Sequence, residues 1–148
     1  MLHFTDAEFA ARRAKVMDQM QERQLDALLM FSQESMYWLT GYDTFGFCFF
    51  QCLVFKADGD MALLTRSADL RQARHTSNID NIVIWTDGGN ANPAIDLRDL
   101  MSDMGLLGTR VGIEYDSPGL NAANGAVTQA RSAADSAIAQ SASGWATA

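Results

Sequence analysis

Phe9, Val16, Met17 and Met20 recur at helical spacing behind Thr5 and Glu8, a capping-box pair, and predict an amphipathic helix from about Asp6 to Gln24. Leu25 to Phe31 is almost wholly apolar, the pattern of a short strand covered on both faces. A polar break at Ser32 to Ser35 leads into MYWLTGYD, and Phe45 to Lys56, rich in aromatic and β-branched residues, predicts a long central strand. Asp58-Gly59-Asp60 is a turn signal, with Met61 to Thr65 as the antiparallel partner beyond it. Ser67 to His75 predicts a helix with Ser67 in the capping position, Asn81 to Trp85 a strand, and Asp87 to Asn90 a loop. Pro93 opens a helix that runs to Met104 with Gly105 at its end, and Val111 to Tyr115 reads as the last strand. The order predicts an α/β fold: a mixed sheet of about five to six strands with helices on both faces.

Beyond Asp116 the pattern fades. Ser117 to Ala148 carries two charges, Arg131 and Asp135, and eleven alanines, so a helix beginning near Asn121 has little to bury. The end from about Ala133 reads as a weakly packed helix or a disordered tail. The expected division is a domain over residues 1–125 and an Ala/Ser-rich tail or weak helix over 126–148. At 148 residues and 48% hydrophobic content, one core forms without disulfide or metal staples. Eighteen acidic against eleven basic residues give a net charge of −7, which opposes phosphate attraction and argues against nucleic-acid binding. No apolar run approaches the ~20 residues that span a bilayer, and the N-terminus lacks a secretory pattern, so no membrane partner and a cytoplasmic location are expected. Cys48 and Cys52 are expected to be reduced, buried core residues; on one strand they would stand about 13 Å apart, too far for a disulfide.

Complete catalytic constellations are missing: the chain has no HExxH, GxSxG, Walker loop or GxGxxG. Neither His3 nor His75 has the three or four convergent donors of a metal site, so no catalytic residue and no metal ligand is expected. Gly88-Gly89 reads as a plain loop, Asp96, Asp99 and Asp103 as a solvated helix face, and Arg66, Arg71 and Arg74 as a small basic cluster able to hold a carboxylate or to balance the acidic surroundings. The unusual feature is the aromatic density from Tyr37 to Phe55. Gly41 and Gly46 bracket part of it in an expected loop, where core packing and a binding or subunit interface account equally well for the exposed-looking aromatics. The candidate surface is Tyr42, Asp43, Phe45, Phe47 and Phe50.

Three motifs carry a family resemblance. Met20 to Leu29, in which a helix and a short turn feed the first strand, Met36-Tyr37-Trp38-Leu39-Thr40-Gly41-Tyr42-Asp43 and Val111-Gly112-Ile113-Glu114-Tyr115-Asp116 together resemble, in order, the N-terminal domain of the creatinase, prolidase and aminopeptidase P family. Ser35 stands where that family often has asparagine. The resemblance, covering roughly Phe4 to Gly125, implies the family's ribonuclease H-like sheet, a non-catalytic role in dimer contact and substrate gating, and a homodimer. It also implies a metal-dependent hydrolase as the full-length parent, acting on Xaa-Pro peptides or a small C–N substrate such as creatine. A C-terminal catalytic domain would hold the divalent pair (manganese, cobalt or zinc). Nothing in Ser117 to Ala148 resembles that half, so the chain is expected to lack it, either as a truncated N-terminal domain or as a stand-alone small-molecule-binding or regulatory α/β module.

Overall fold

A computed structural model describes residues 2–115, 117, 118 and 120. The elements are α1 (Asp6–Glu22), β1 (Ala27–Met30), α2 (Gln33–Thr40), β2 (Cys52–Lys56), β3 (Met61–Arg66), a 3-10 turn (Ser67–Asp69), α3 (Leu70–Thr76), β4 (Asn81–Trp85), α4 (Pro93–Asp103) and β5 (Val111–Ile113). The five strands lie in the order β4-β3-β2-β1-β5, with β1–β2 and β2–β3 antiparallel and β1–β5 and β3–β4 parallel. This is the expected mixed α/β sheet.

Strand alternation divides the core in two. Ala27, Leu29, Cys52, Val54, Ala62, Leu64, Val111 and Ile113 face one layer, which α4 covers with Leu97 and Leu100. Leu28, Leu53, Phe55 and Leu63 face the other, beneath Val16 and Met20 of α1, Met36 and Leu39 of α2 and Ala73 of α3. Gly112 fits this second face because a Cβ there would fall 2.6 Å from Leu28 Cδ2.

Several elements form where local chemistry places them. The Thr5 hydroxyl accepts from Glu8 N at 3.3 Å while Thr5 N donates to the Glu8 carboxylate at 2.8 Å, so the capping box starts α1. The β2–β3 hairpin turns at Gly59, with φ +93°, and Lys56 pairs with Asp58 at 2.9 Å. Pro93 begins α4, and Gly105 follows it in the left-handed region.

Other expectations are corrected. The break at Ser32 to Ser35 is the start of α2, whose entry is held from a distance: Glu114 Oε2 accepts from Phe31 N at 2.9 Å and from the N-cap Ser32 N at 2.8 Å, and Oε1 from Ser35 Oγ at 2.6 Å. A carboxylate there also meets the positive end of the helix dipole. The central strand is only Cys52–Lys56, because the Thr44 hydroxyl accepts from Gly46 N at 2.9 Å and Phe49 N turns back to Gly46 O at 2.9 Å, which removes those backbone groups from any ladder. Cys52 is buried as expected, but this turn leaves Cys48 exposed. Ser67 does not cap a helix through its side chain; it begins the 3-10 turn, and α3 starts at Leu70. β1 and β5 are shorter than expected, although Leu25 and Phe31 are still buried. The helix near Asn121 and the tail beyond Ala133 lie outside the described residues.

Glu114 joins β5 to the start of α2, so Glu114→Ala should lower unfolding free energy by about 2–4 kcal/mol, through several donors left without their charged acceptor. Thermal melts followed by circular dichroism should show a midpoint lower by roughly 5–15 °C at ~2–4 °C per kcal/mol.

Candidate functional site: an anchored aromatic loop

Residues 41–51 form a loop at one end of the sheet, fixed at both ends. Gly41 closes α2 at φ +81°, its N–H donating to Tyr37 O at 2.8 Å. At the other end, Phe50 O accepts from Trp85 Nε1 at 2.9 Å, and the Phe50 ring meets Phe31 edge-on at 5.6 Å.

Between those ends the side chains sort by direction. Tyr42 is fully buried, its hydroxyl 2.9 Å from both Gln51 Oε1 and Thr65 Oγ1. Gln33 reaches the same place, donating to Tyr42 O at 2.8 Å and accepting from Gln51 Nε2 at 3.2 Å. Burial pushes the Tyr42 hydroxyl pKa up to about 12, against the partial opposition of the Thr65 and Thr44 hydrogen bonds. Buried Thr44 lies with its hydroxyl 2.7 Å from Asp69 Oδ1 and 2.8 Å from Gln72 Oε1. Gly46 rests on the same carboxylate; a Cβ there would fall 2.6 Å from Asp69 Oδ1, so only glycine allows this approach.

Of the expected surface, Phe45 and Phe47 are outside, 87% and 52% exposed, and Phe49 joins them at 41%. Asp43 is also exposed, its N–H donating to Thr76 Oγ1 at 3.0 Å. Tyr42 and Phe50, expected on that surface, belong to the core. Their burial follows from the polar partners gathered around the Tyr42 hydroxyl and from the space beside Phe31. Thr44, Gln51, Thr65 and Asp69 escaped the sequence reading, since nothing in sequence distinguishes a buried hydroxyl or amide from a solvated one. The glycine at 46 was the available signal.

The other candidates fall elsewhere. His3 bonds the Tyr37 hydroxyl at 2.6 Å, Arg71 and Arg74 are exposed on α3, and Gly88-Gly89 has open space around it. Asp99 and Asp103 line the solvated side of α4, with Asp96 half-buried. The divalent pair implied by the resemblance finds no fitting donor set: among the described residues no three His, Cys, Asp or Glu side chains converge, and Asp69 and Asp87, which approach a common point, do so around the Arg66 guanidinium. Burial pushes the Cys52 thiol well above its ordinary range. Among the described residues, no helix is long and apolar enough to cross a membrane.

A family model described as the creatinase/prolidase N-terminal domain matches residues 12–140. An ectoine hydrolase from Halomonas elongata is 32% identical over 123 residues, covering 78% of this chain and 31% of that protein, so the chain spans about a third of its length. A dipeptidase from Pyrococcus horikoshii superposes with a TM-score of 0.71 at 22% identity, covering 89% of this chain and 34% of that one. An Xaa-Pro aminopeptidase structure from Streptococcus pyogenes gives 0.68 at 20% identity, covering 93% and 95%. At these identities the two structures establish a shared fold.

The Tyr42 hydroxyl makes the loop's anchorage sensitive to alkali. The folded protein holds this proton up to about 12, whereas an unfolded chain releases it near ~10. Its contribution is therefore complete below about pH 10 and is lost as pH climbs toward 12, amounting to about 2–3 kcal/mol across the window. Tyr42→Phe should cost ~1–2 kcal/mol at neutral pH, through the partners it leaves unsatisfied, and should remove this component of the alkaline loss. Urea titrations of both proteins at pH 8, 10 and 11.5 measure the difference.

Proposed function

Since the chain belongs to the creatinase/prolidase N-terminal domain family, we propose that it is the non-catalytic, dimerising and substrate-gating domain of a metal-dependent hydrolase. In this reading residues 1–125 form the domain, and a C-terminal catalytic domain holds the divalent pair, whether manganese, cobalt or zinc. The parent acts on a C–N bond in an Xaa-Pro peptide or a small non-peptide substrate. Similarity to a hydrolase named for ectoine rather than for a peptide supports the second class.

The observation that carries the gating and docking role is the placement of Phe45, 87% exposed on a loop whose base is buried and hydrogen-bonded. Exposed aromatics on an ordered support favour burial against a partner, because little freedom is lost when they dock. The occupant proposed is a second copy of the chain, with the loop reaching the neighbouring subunit's substrate pocket in the full-length enzyme. Asp43 and Phe47 flank the contact, while Tyr42 and Phe50 hold its shape from beneath.

Sedimentation of the chain should show a reversible dimer. Phe45→Ala should weaken it at least ten-fold, as a loss of ~1.4 kcal/mol or more at an aromatic anchor requires. The thermal midpoint should hardly move, since the ring is not packed in the core. In the full-length parent the same substitution should alter kcat/KM and leave metal content unchanged. A monomer at all accessible concentrations, or a Phe45→Ala dimer as tight as the original, would refute the docking role. Hydrolysis of ectoine or an Xaa-Pro dipeptide by this chain with added manganese would refute the non-catalytic one.

A further inference from the structure

Arg66 ends β3 beneath the aromatic loop, its side chain 20% exposed. Its Nε stands 3.8 Å from Asp69 Oδ2 and 3.6 Å from Asp87 Oδ2, beyond direct hydrogen-bond reach of either, and is buried with no hydrogen-bond partner. Its guanidinium carbon lies 3.8 Å from the centroid of the Phe49 ring. An arginine used only for charge would pair end-on with one carboxylate; this one lies over an aromatic face between two.

The same carboxylate that meets Arg66 also accepts from the Thr44 hydroxyl and leaves room for Gly46 only as glycine. One point therefore touches the loop at positions 44, 46 and 49. Through Asp87 it also reaches the connection from β4 to α4. Phe45 and Phe47 lie between the gripped positions and have no comparable hold of their own, so their direction follows from their neighbours.

We infer that Arg66 is the positioning residue of the aromatic loop: by stacking on Phe49 and joining Asp69 to Asp87, it sets the direction in which Phe45 and Phe47 meet a second copy of the chain. This rests on the docking role proposed above. A lysine would keep the positive charge between Asp69 and Asp87 but offers no flat face to Phe49, so Arg66→Lys removes the stacking while Arg66→Gln removes both stacking and charge.

Cys48 supplies the probe, because it is exposed within the loop while Cys52 is buried, so a nitroxide reagent labels position 48. In dilute protein, Arg66→Gln, Arg66→Lys and Phe49→Leu should each sharpen the electron paramagnetic resonance spectrum of the label. In unlabelled protein each should weaken dimerisation at least ten-fold. Phe49→Leu keeps apolar bulk and leaves Asp69 paired, so it carries the test if the Arg66 variants fail to fold. An unchanged spectrum in the folded variants overturns the inference. So does a sharpened spectrum with unchanged dimerisation, provided Phe45→Ala weakens the dimer. If Phe45→Ala has no effect, the docking role fails by itself, and the grip of Arg66 on the loop stands or falls by the spectrum.

Discussion

The carboxylate of Glu114 holds together parts of the chain that sequence keeps far apart. The Glu114 backbone N–H donates to Leu29 O at 3.0 Å, continuing the pairing of β5 with β1, while its side chain holds the chain at the entry to α2. The direction of α2 decides where Gly41 releases the chain, and hence where the aromatic loop begins. At the opposite end of the same strand pair, Asp26 accepts from Arg110 N at 2.8 Å, so β5 is pinned at both ends although it is only three residues long. Such a short parallel edge strand would have little hold from its own ladder alone.

On this frame the loop is assembled from two kinds of residue. Tyr42, Thr44 and Gln51 face inward and are satisfied by hydroxyls, amides and a carboxylate brought by β3, α2 and the turn before α3, while Phe50 faces inward against Phe31 with its carbonyl accepting from the Trp85 indole. Phe45, Phe47 and Phe49 face outward. The inward set costs the protein buried polar groups that must all find partners. In return the outward set stands on a base whose buried polar groups are hydrogen-bonded.

How much was legible in the sequence depended on how far each element's determinants lay from it. The α1 capping box spans four residues, the β2–β3 turn is set by Gly59, and α4 is bounded by Pro93 and Gly105; all three could be read directly. The start of α2 could not, because the group that holds its entry lies about eighty residues downstream, and Ser32 to Ser35 looks polar and loop-like without it. The run from Phe45 to Gln51 has strand composition but no strand partner, since Thr44 and Gly46 turn its backbone aside. Tyr42 shows the same limit for the site. Its burial depends on Gln51 and Thr65, and no local pattern says that their polar groups will converge on one hydroxyl.

The wide separation of Glu114 from the residues it holds also shapes how the molecule is made. Synthesis releases the chain from its N-terminus, so α1, the β2–β3 hairpin and the aromatic loop emerge before the strand that completes the sheet. Until residue 114 is available, Phe31 N, Ser32 N and the Ser35 hydroxyl at the start of α2 lack their acceptor and β1 lacks its parallel neighbour, a pairing that must close a long stretch of chain. Through that interval Phe45, Phe47 and Phe49 are displayed on an unfinished support, together with an open edge on β1. Among the described strands β5 is the last to be made, so until it pairs β1 keeps an open edge and the exposed aromatics rest on an incomplete sheet.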